Sequence, residues 1–236
     1  MTPPRFILDK SAHNPDADMW FAQPAGFTTI PFRALLNPAD SPAAKALRQA
    51  LAPILDSLND ELARQQFLAH LAQGQRLLAI LAEAGTTRCA IGLHRDDVSG
   101  TAKGSLLFSL FTVSWRDISP AAPAATAARA VAGAEGHTNI AYLELPCGPA
   151  SFSETVRTPT ADSGLPQDPV LQVFAHLPHP DGRRLVVLTL GTTAVNRRTE
   201  YRSLLHQIAE NVSFEDPLLE LAALTKAGGR SRPPRG

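Results

Sequence analysis

Residues 169–213 read PVLQVFAHLPHPDGRRLVVLTLGTTAVNRRTEYRSLLHQIAENVS, and this stretch decides the fold. The pattern predicts a strand over 170–177, a tight turn over 179–182, and a second strand over 185–190. Pro180 fixes φ in the turn and Gly182 accepts a positive φ. The second strand is apolar on both alternating faces, which is typical of an inner strand covered on both sides. An amphipathic helix is then predicted by apolar residues at helical spacing, namely Tyr201, Leu204, Leu205, Ile208 and Val212.

The composition argues against two classes of partner. The chain has 236 residues, with 22 basic and 22 acidic side chains and no net charge. Nucleic-acid binders usually carry a basic excess, and the same neutrality argues against a polybasic grip on anionic membranes. The first residues lack the apolar core of a signal peptide, and no apolar run approaches the roughly 20 residues that span a bilayer. We therefore expect a cytoplasmic protein that binds neither nucleic acid nor membrane, with Cys89 and Cys147 reduced.

The simplest division of the chain is into three parts. Residues 1–18 are interrupted by prolines and are expected to form a flexible arm. A single α+β domain is predicted over 19–227, and a basic, disordered tail over 228–236. Within the domain, Ser41-Pro42 predicts the start of a long helical segment, because serine caps helices and proline favours their first turn. This segment reaches Glu83 and is ended by a glycine at 85.

The strands group together in the middle of the chain. A short edge strand is predicted over 27–32, a strand over 88–94, and a long inner strand over 106–115. A hairpin is predicted around the turn 146–149, before the strand pair described above. The tally is about six strands in consecutive hairpins, with helices before and after them, the last a short helix over 217–226. The predicted fold is therefore α+β, an antiparallel sheet flanked by helices on both faces.

The order of these elements resembles a known architecture. It runs from the Gly26-Phe27 entry strand through a helix and hairpin strands to VLQVFAHLPHPDGRRLVVLTLGTT (170–193) and a terminal amphipathic helix. This order is similar to that of the PsbP-like α/β/α sandwich family, including the LpqN-type actinobacterial proteins. The resemblance implies a binding or assembly role without a shared active site. It rests on the strand pattern rather than on a signature motif, so it transfers no functional residue, and the lack of a lipobox cysteine means that an exported location does not carry over.

The long helical segment carries two apolar faces. One face must cover the sheet, and the other is predicted to bind a protein partner or a second copy of the chain. The alternative is a bend near Asn59 that folds the segment into a helical hairpin, each half burying the other. The residues predicted to bind the partner are Phe67, Leu68, Leu71, Leu78 and Leu81.

Two adjacent arginines begin the terminal helix. Arg197 and Arg198 oppose the helix dipole at this position unless they meet an anion, so they form a candidate anion-binding site. The alternative is that both arginines are solvated beside Glu200.

No linear motif for catalysis, metal binding or phosphate binding occurs in the chain. The histidines lack metal-ligand spacing, so no metal and no cofactor are expected. Glu144 and Glu154 could face each other across the 146–149 hairpin, where paired carboxylates could perform acid–base chemistry. A solvated strand edge explains them equally well, and we assign no catalytic residue.

These observations favour a non-enzymatic binding or assembly protein whose partner is unknown. One alternative is a hydrolase or transferase whose active site is assembled from distant loops. Another is an accessory factor or chaperone of an actinobacterial specialised secretion system, suggested by a composition rich in Ala, Arg and Pro and poor in Lys.

Overall fold

The computed structural model describes five stretches of this chain and a few single residues. The stretches are 6–8, 18–30, 79–95, 106–160 and 167–216, and the single residues are Leu36, Ser41, Pro42, Lys45, Gln49, Glu61 and Gln65. The last predicted helix, the C-terminal tail and most of the long helical segment therefore lie outside the described residues.

The described residues form nine strands, two α-helices and one turn of 3-10 helix, Val195–Arg197. The helices are α1 (Pro123–Ala132) and α2 (Arg198–Glu210). The strands are β1 (Phe6–Leu8), β2 (Ala22–Pro24), β3 (Phe27–Ile30), β4 (Thr86–Arg95), β5 (Leu106–Asp117), β6 (Thr138–Leu145), β7 (Gly148–Arg157), β8 (Val170–Pro178) and β9 (Arg184–Thr192).

Seven of these strands form one antiparallel sheet in the order β3-β4-β5-β9-β8-β7-β6. The α+β class is confirmed, and the inner positions of β5 and β9 agree with their apolar faces. The prediction of about six strands is wrong, because all seven segments predicted as strands pair in this sheet, including the short edge strand β3, with Phe27 opposite Gly92. Separately, β1 lies within the predicted arm and pairs with β2, since the apolar Phe6–Leu8 run can form a short ladder.

The main core lies between α2 and the centre of the sheet. Helix α2 buries Tyr201, Leu205 and Ile208, as its predicted apolar stripe requires, and contacts β8 and β9. Their largest fully buried neighbours in the sheet include Leu188 and Leu190. Each such side chain contributes about 1.5–3 kcal/mol when it is fully removed from water. This packing fixes α2 on the sheet.

Helix α1 packs against β7 and β8 at a different set of side chains. It buries Thr126, Ala127 and Val131, and the hydroxyl of Ser151 donates a 2.7 Å hydrogen bond to the carbonyl oxygen of Ala127. Helix α1 begins with Pro123 at its first position. Proline is tolerated there because an N–H at this position would have no partner within the helix.

The end of the long helical segment agrees with its predicted stop. Residues 79–83 are helical, and Gly85 follows with φ +83°. Its carbonyl oxygen accepts a 2.9 Å hydrogen bond from the Trp115 N–H. At the other end, the N–H of Lys45 donates to the Ser41 carbonyl as in a first helical turn. Among the described residues, no helix is long and apolar enough to cross a bilayer.

Candidate functional site: the free edge of the sheet

Strand β6 ends the sheet and has one neighbour, β7, among the strands that the structure describes. The sequence of β6, TNIAYLEL, contains one charged side chain, Glu144. Four large apolar side chains on β6 and the adjacent β7 are exposed: Ile140 by 45%, Tyr142 by 57%, Leu143 by 37% and Val156 by 42%. We call these four residues the β6 surface. An edge strand presents unpaired N–H and C=O groups, so polar pairing groups and apolar side chains are exposed together here.

The first residues of β6 are irregular and the rest are regular. The pairing with β7 shifts between Thr138 and Ala141, and Asn139 lies in the left-handed region with φ +50°. From Ala141 to Leu145 every residue pairs in sequence with the opposite residue of β7. The regular part of the free edge is therefore five residues long.

A buried carboxylate fixes the irregular start of β6. Glu154 of β7 is fully buried, and its Oε1 accepts a 2.5 Å hydrogen bond from the Asn139 amide. The Nε of Arg198 lies 3.1 Å from the same oxygen, and Nη1 of Arg202 lies 3.0 Å from Oε2. Arg202 also donates to the carbonyl oxygen of Asn139 at 3.0 Å. The network joins the first turns of α2 to β6 and β7, and its charge-assisted bonds are the stronger kind.

This network gives the predicted anion site an internal occupant. The anion beside Arg198 is the carboxylate of Glu154, and Arg197 forms a partly exposed 3.4 Å ion pair with Glu200. Arg197 lies beside Glu200 but its side chain is 17% exposed, and Arg198 is 44% exposed and pairs with Glu154, so the interpretation of both arginines as solvated beside Glu200 fits neither fully. The sequence contains a signal that an anion lies here. Arg198 and Arg202 stand at i and i+4 on a helix, where like charges repel unless an anion lies between them.

A shallow groove of about 230 Å³ runs between α2 and the free edge. It is lined by Ala141, Leu143, Phe152, Val173, Arg202, Ser203 and His206. His206 lies over Phe152 with ring centroids 5.3 Å apart, and its Nδ1 is 3.5 Å from a carboxylate oxygen of Glu210. The groove thus has an apolar floor and a polar rim on the α2 side. It begins at Ala141 and Leu143 of β6, so it is continuous with the free edge.

The two carboxylates that were candidates for acid–base chemistry do not meet. Glu144 lies opposite Pro149, and Glu154 lies opposite Thr138. Glu144 is exposed and Glu154 is fully buried. The hypothesis of a Glu144–Glu154 pair is therefore wrong, because the two-residue turn sets a register that separates them by several residues along the strands.

A second polar cluster lies on β7 and β8. The ring Nδ1 of His137 is 2.7 Å from the hydroxyl of Ser153, and His137 lies 4.8 Å from Phe174 between ring centroids. A serine beside a histidine resembles a nucleophile with its base. Ser153 is fully buried, however, so its hydroxyl is inaccessible to a substrate in this structure.

His176 belongs to the same cluster and is 4% exposed. Burial lowers its pKa to about 4, and the neighbouring His137 and Arg116 act in the same direction. The pKa of His137 is lowered by burial and by Arg157. Among the residues that the structure describes, no group of three or more His, Cys, Asp or Glu side chains could hold a metal ion.

Both cysteines are free, and burial raises the pKa of each thiol, that of Cys89 to about 11. Cys89 is surrounded by a small apolar cluster to which Leu81 contributes a half-buried side chain. Leu81 is one of the five residues predicted to bind a partner. The other four, Phe67, Leu68, Leu71 and Leu78, lie outside the described residues, so the partner surface predicted on this segment stays a prediction.

Comparison with known proteins finds no matching family model, and no curated protein or solved structure matches the chain significantly. The chemistry of the free edge is therefore the basis for any functional assignment.

Proposed function

We propose that this chain is a non-enzymatic binding or assembly protein, and that another polypeptide adds a strand to β6. The observation that carries this proposal is the β6 surface, where four exposed apolar side chains lie at a sheet edge that no other described strand covers. Strand addition supplies main-chain hydrogen bonds for affinity, and alternate side chains supply specificity.

The two edges of the sheet differ in a way that favours β6. The opposite edge, β3, is four residues long and is followed in the sequence by Pro31, which cannot donate to a ladder. β6 is eight residues long and lacks the lysines and prolines with which edge strands commonly block pairing. An incoming strand therefore finds its longest and least protected ladder at β6.

The groove beside α2 would select the incoming strand. Side chains on one strand alternate between faces, so every second side chain of an added strand would lie beside Ala141 and Leu143. The groove floor offers apolar contacts there, and Arg202 at the rim offers a cation. A partner strand with apolar residues on this face fits best.

The finer features of the fold belong to the same proposal. Ser151 contacts α1 and Glu154 contacts α2, and these residues of β7 differ in parity along the strand. This supports helices on both faces of the sheet, in an α/β/α sandwich that resembles the PsbP-like family. We place the protein in the cytoplasm, a proposal supported by the free thiol of the buried Cys89.

A displayed library of random peptides tests the binding function. The protein is immobilised sparsely, so that copies cannot pair, and selected peptides are measured against three forms: the wild type, Tyr142→Lys and Ile80→Lys. Ile80 is the matched control because it is a 62% exposed apolar residue away from β6. We expect peptides that bind the wild type and Ile80→Lys alike and bind Tyr142→Lys at least about tenfold more weakly. Failure to select any peptide, or selection of peptides indifferent to Tyr142→Lys, would contradict the proposal.

A further inference from the structure

We infer that the strand added to β6 is β6 of a second copy, paired antiparallel about a two-fold axis at Leu143. This inference rests on the proposed function, since it requires β6 to accept a strand, and it adds the identity and register of that strand.

The regular part of the edge sets the register. The five residues from Ala141 to Leu145 are regular, and Leu143 is their centre. A two-fold axis at Leu143 pairs all five positions of one copy with all five of the other. Leu143 then lies opposite its own copy, Ala141 opposite Leu145, and Tyr142 opposite Glu144. Moving the axis to Tyr142 would leave Leu145 unpaired and bring Ile140, at the irregular end, into the ladder.

The charges of the strand agree with self-pairing. Glu144 is the one charged residue of β6, and an axis at Leu143 places it opposite a tyrosine. An axis at Glu144 would place two carboxylates directly opposite each other, which is destabilising. The chain as a whole has no net charge, so two copies approach without long-range repulsion.

The exposed side chains agree as well. In an antiparallel pair, residues directly opposite each other project to the same face, so the two Leu143 side chains would meet beside both α2 grooves. This contact removes two 37% exposed leucines from water. Both β6 edges are used in the pairing, and the other edge of each seven-stranded sheet is the four-residue strand β3. The assembly is therefore a closed dimer rather than a growing fibre.

Sedimentation of the full chain over about 1–100 μM tests the pairing. We expect a reversible dimer for the wild type and for Ile80→Lys. In Leu143→Lys, two like charges lie directly opposite, and we expect association to weaken at least about tenfold with the thermal unfolding midpoint little changed, because Leu143 is partly exposed. Tyr142→Glu, which places like charges opposite Glu144 of the other copy, serves as a second variant if Leu143→Lys does not fold.

Disulfide cross-linking with diamide as the oxidant tests the register. In a Cys147→Ser background, Leu143→Cys places two thiols on opposite residues, whose Cα atoms are about 4.5–5.5 Å apart, within the range a disulfide spans. Ile140→Cys is the control, because its two copies would be six residues apart along the ladder, about 20 Å. We expect Leu143→Cys to form covalent dimers and Ile140→Cys to form few.

A wild type that is monomeric throughout, a dimer insensitive to Leu143→Lys, or equal cross-linking of both cysteine variants would overturn the inference. These outcomes are distinct from failure of the proposed function. If the chain is monomeric but selected peptides bind at β6, strand addition stands and the second copy is not the partner. If no peptide binds at β6 and no dimer forms, both proposals fail.

Discussion

Glu154 is the side chain on which the start of β6 depends. It is a fully buried carboxylate between two arginines of α2 and the amide of Asn139. Such a group is expensive to bury, and the network offsets this cost only while every partner is present. The residue therefore attaches α2 to the hairpin that forms the free edge.

Replacing Glu154 by Gln tests this role. The amide keeps the shape but removes the charge, so Arg198 and Arg202 would face each other without an anion. We expect the free energy of unfolding to fall by about 3 kcal/mol or more, measured by urea denaturation. Glu200→Gln is the matched control: Glu200 is 51% exposed, so breaking its pair with Arg197 should change stability by less than about 1 kcal/mol. Equal small effects in both variants would show that the buried network contributes little.

His176 makes stability depend on pH. Its pKa is lowered by burial to about 4 in the folded chain, against an ordinary value of 6.5. Between pH 4 and pH 6.5 the unfolded chain binds more protons at this histidine than the folded chain does. The free energy of unfolding is therefore highest above pH 6.5 and falls as the pH drops towards 4. The shift corresponds to about 3 kcal/mol.

We expect His176→Phe to reduce this loss of stability by up to about 3 kcal/mol. The quantity to compare is the difference in unfolding free energy between about pH 7 and pH 4.5, measured for each form separately, so that any general cost of the substitution cancels. The lowered pKa of His137 acts with the same sign and should leave part of the loss in the variant. An unchanged pH dependence would mean that His176 is accessible to protons in the folded chain.

The elements with local signals could be predicted from the sequence. Strands β8 and β9 and their turn agree with the alternation of apolar residues and with Pro180 and Gly182. In that turn Asp181 Oδ1 accepts bonds from the N–H groups of Arg183 and Arg184, a local interaction that short sequences encode.

The candidate site could not be predicted in the same way. Whether a strand lies at the edge depends on the order of strands in the sheet. The residues of β6 do not encode this order, because it is set by pairing between strands far apart in the chain. The bonds of Glu154 to Arg198 and Arg202 join positions far apart in the chain, across β8 and β9. Glu154 and Phe152 share one face of β7, but the register of the sheet and the position of α2 were needed to identify the partners of the Glu154 carboxylate.

The junction of the long helical segment and β4 requires a glycine at position 85. A Cβ there would lie 2.2 Å from the carbonyl oxygen of Trp115, and φ is +83°. We expect Gly85→Ala to lower the free energy of unfolding by at least about 2 kcal/mol, since both strain and a backbone clash would have to relax. Gly133→Ala is the control, because its nearest neighbour would be 3.9 Å away and its φ is −93°. Equal denaturation midpoints for the two variants would contradict this account of the junction.

At the scale of the whole molecule, the sheet formed by the described residues has a buried centre and two edges, β3 and the longer β6. β5 and β9 have neighbours on both sides, and Phe111, Val113, Leu188 and Leu190 are almost completely buried. We expect the amide hydrogens of these two strands to exchange slowest, near the rate set by global unfolding. Loop-like exchange in either strand would contradict the single domain predicted over 19–227.

The free side of the sheet gives the most direct test of the account, namely amide hydrogen exchange read residue by residue at about 1 μM and about 100 μM protein. We predict that concentration slows exchange in Ala141–Leu145 of β6 and leaves the opposite edge, Phe27–Ile30, unchanged. Exchange in β6 that is equally fast at both concentrations, or protection gained elsewhere instead, would contradict the claim that β6 is where this protein pairs.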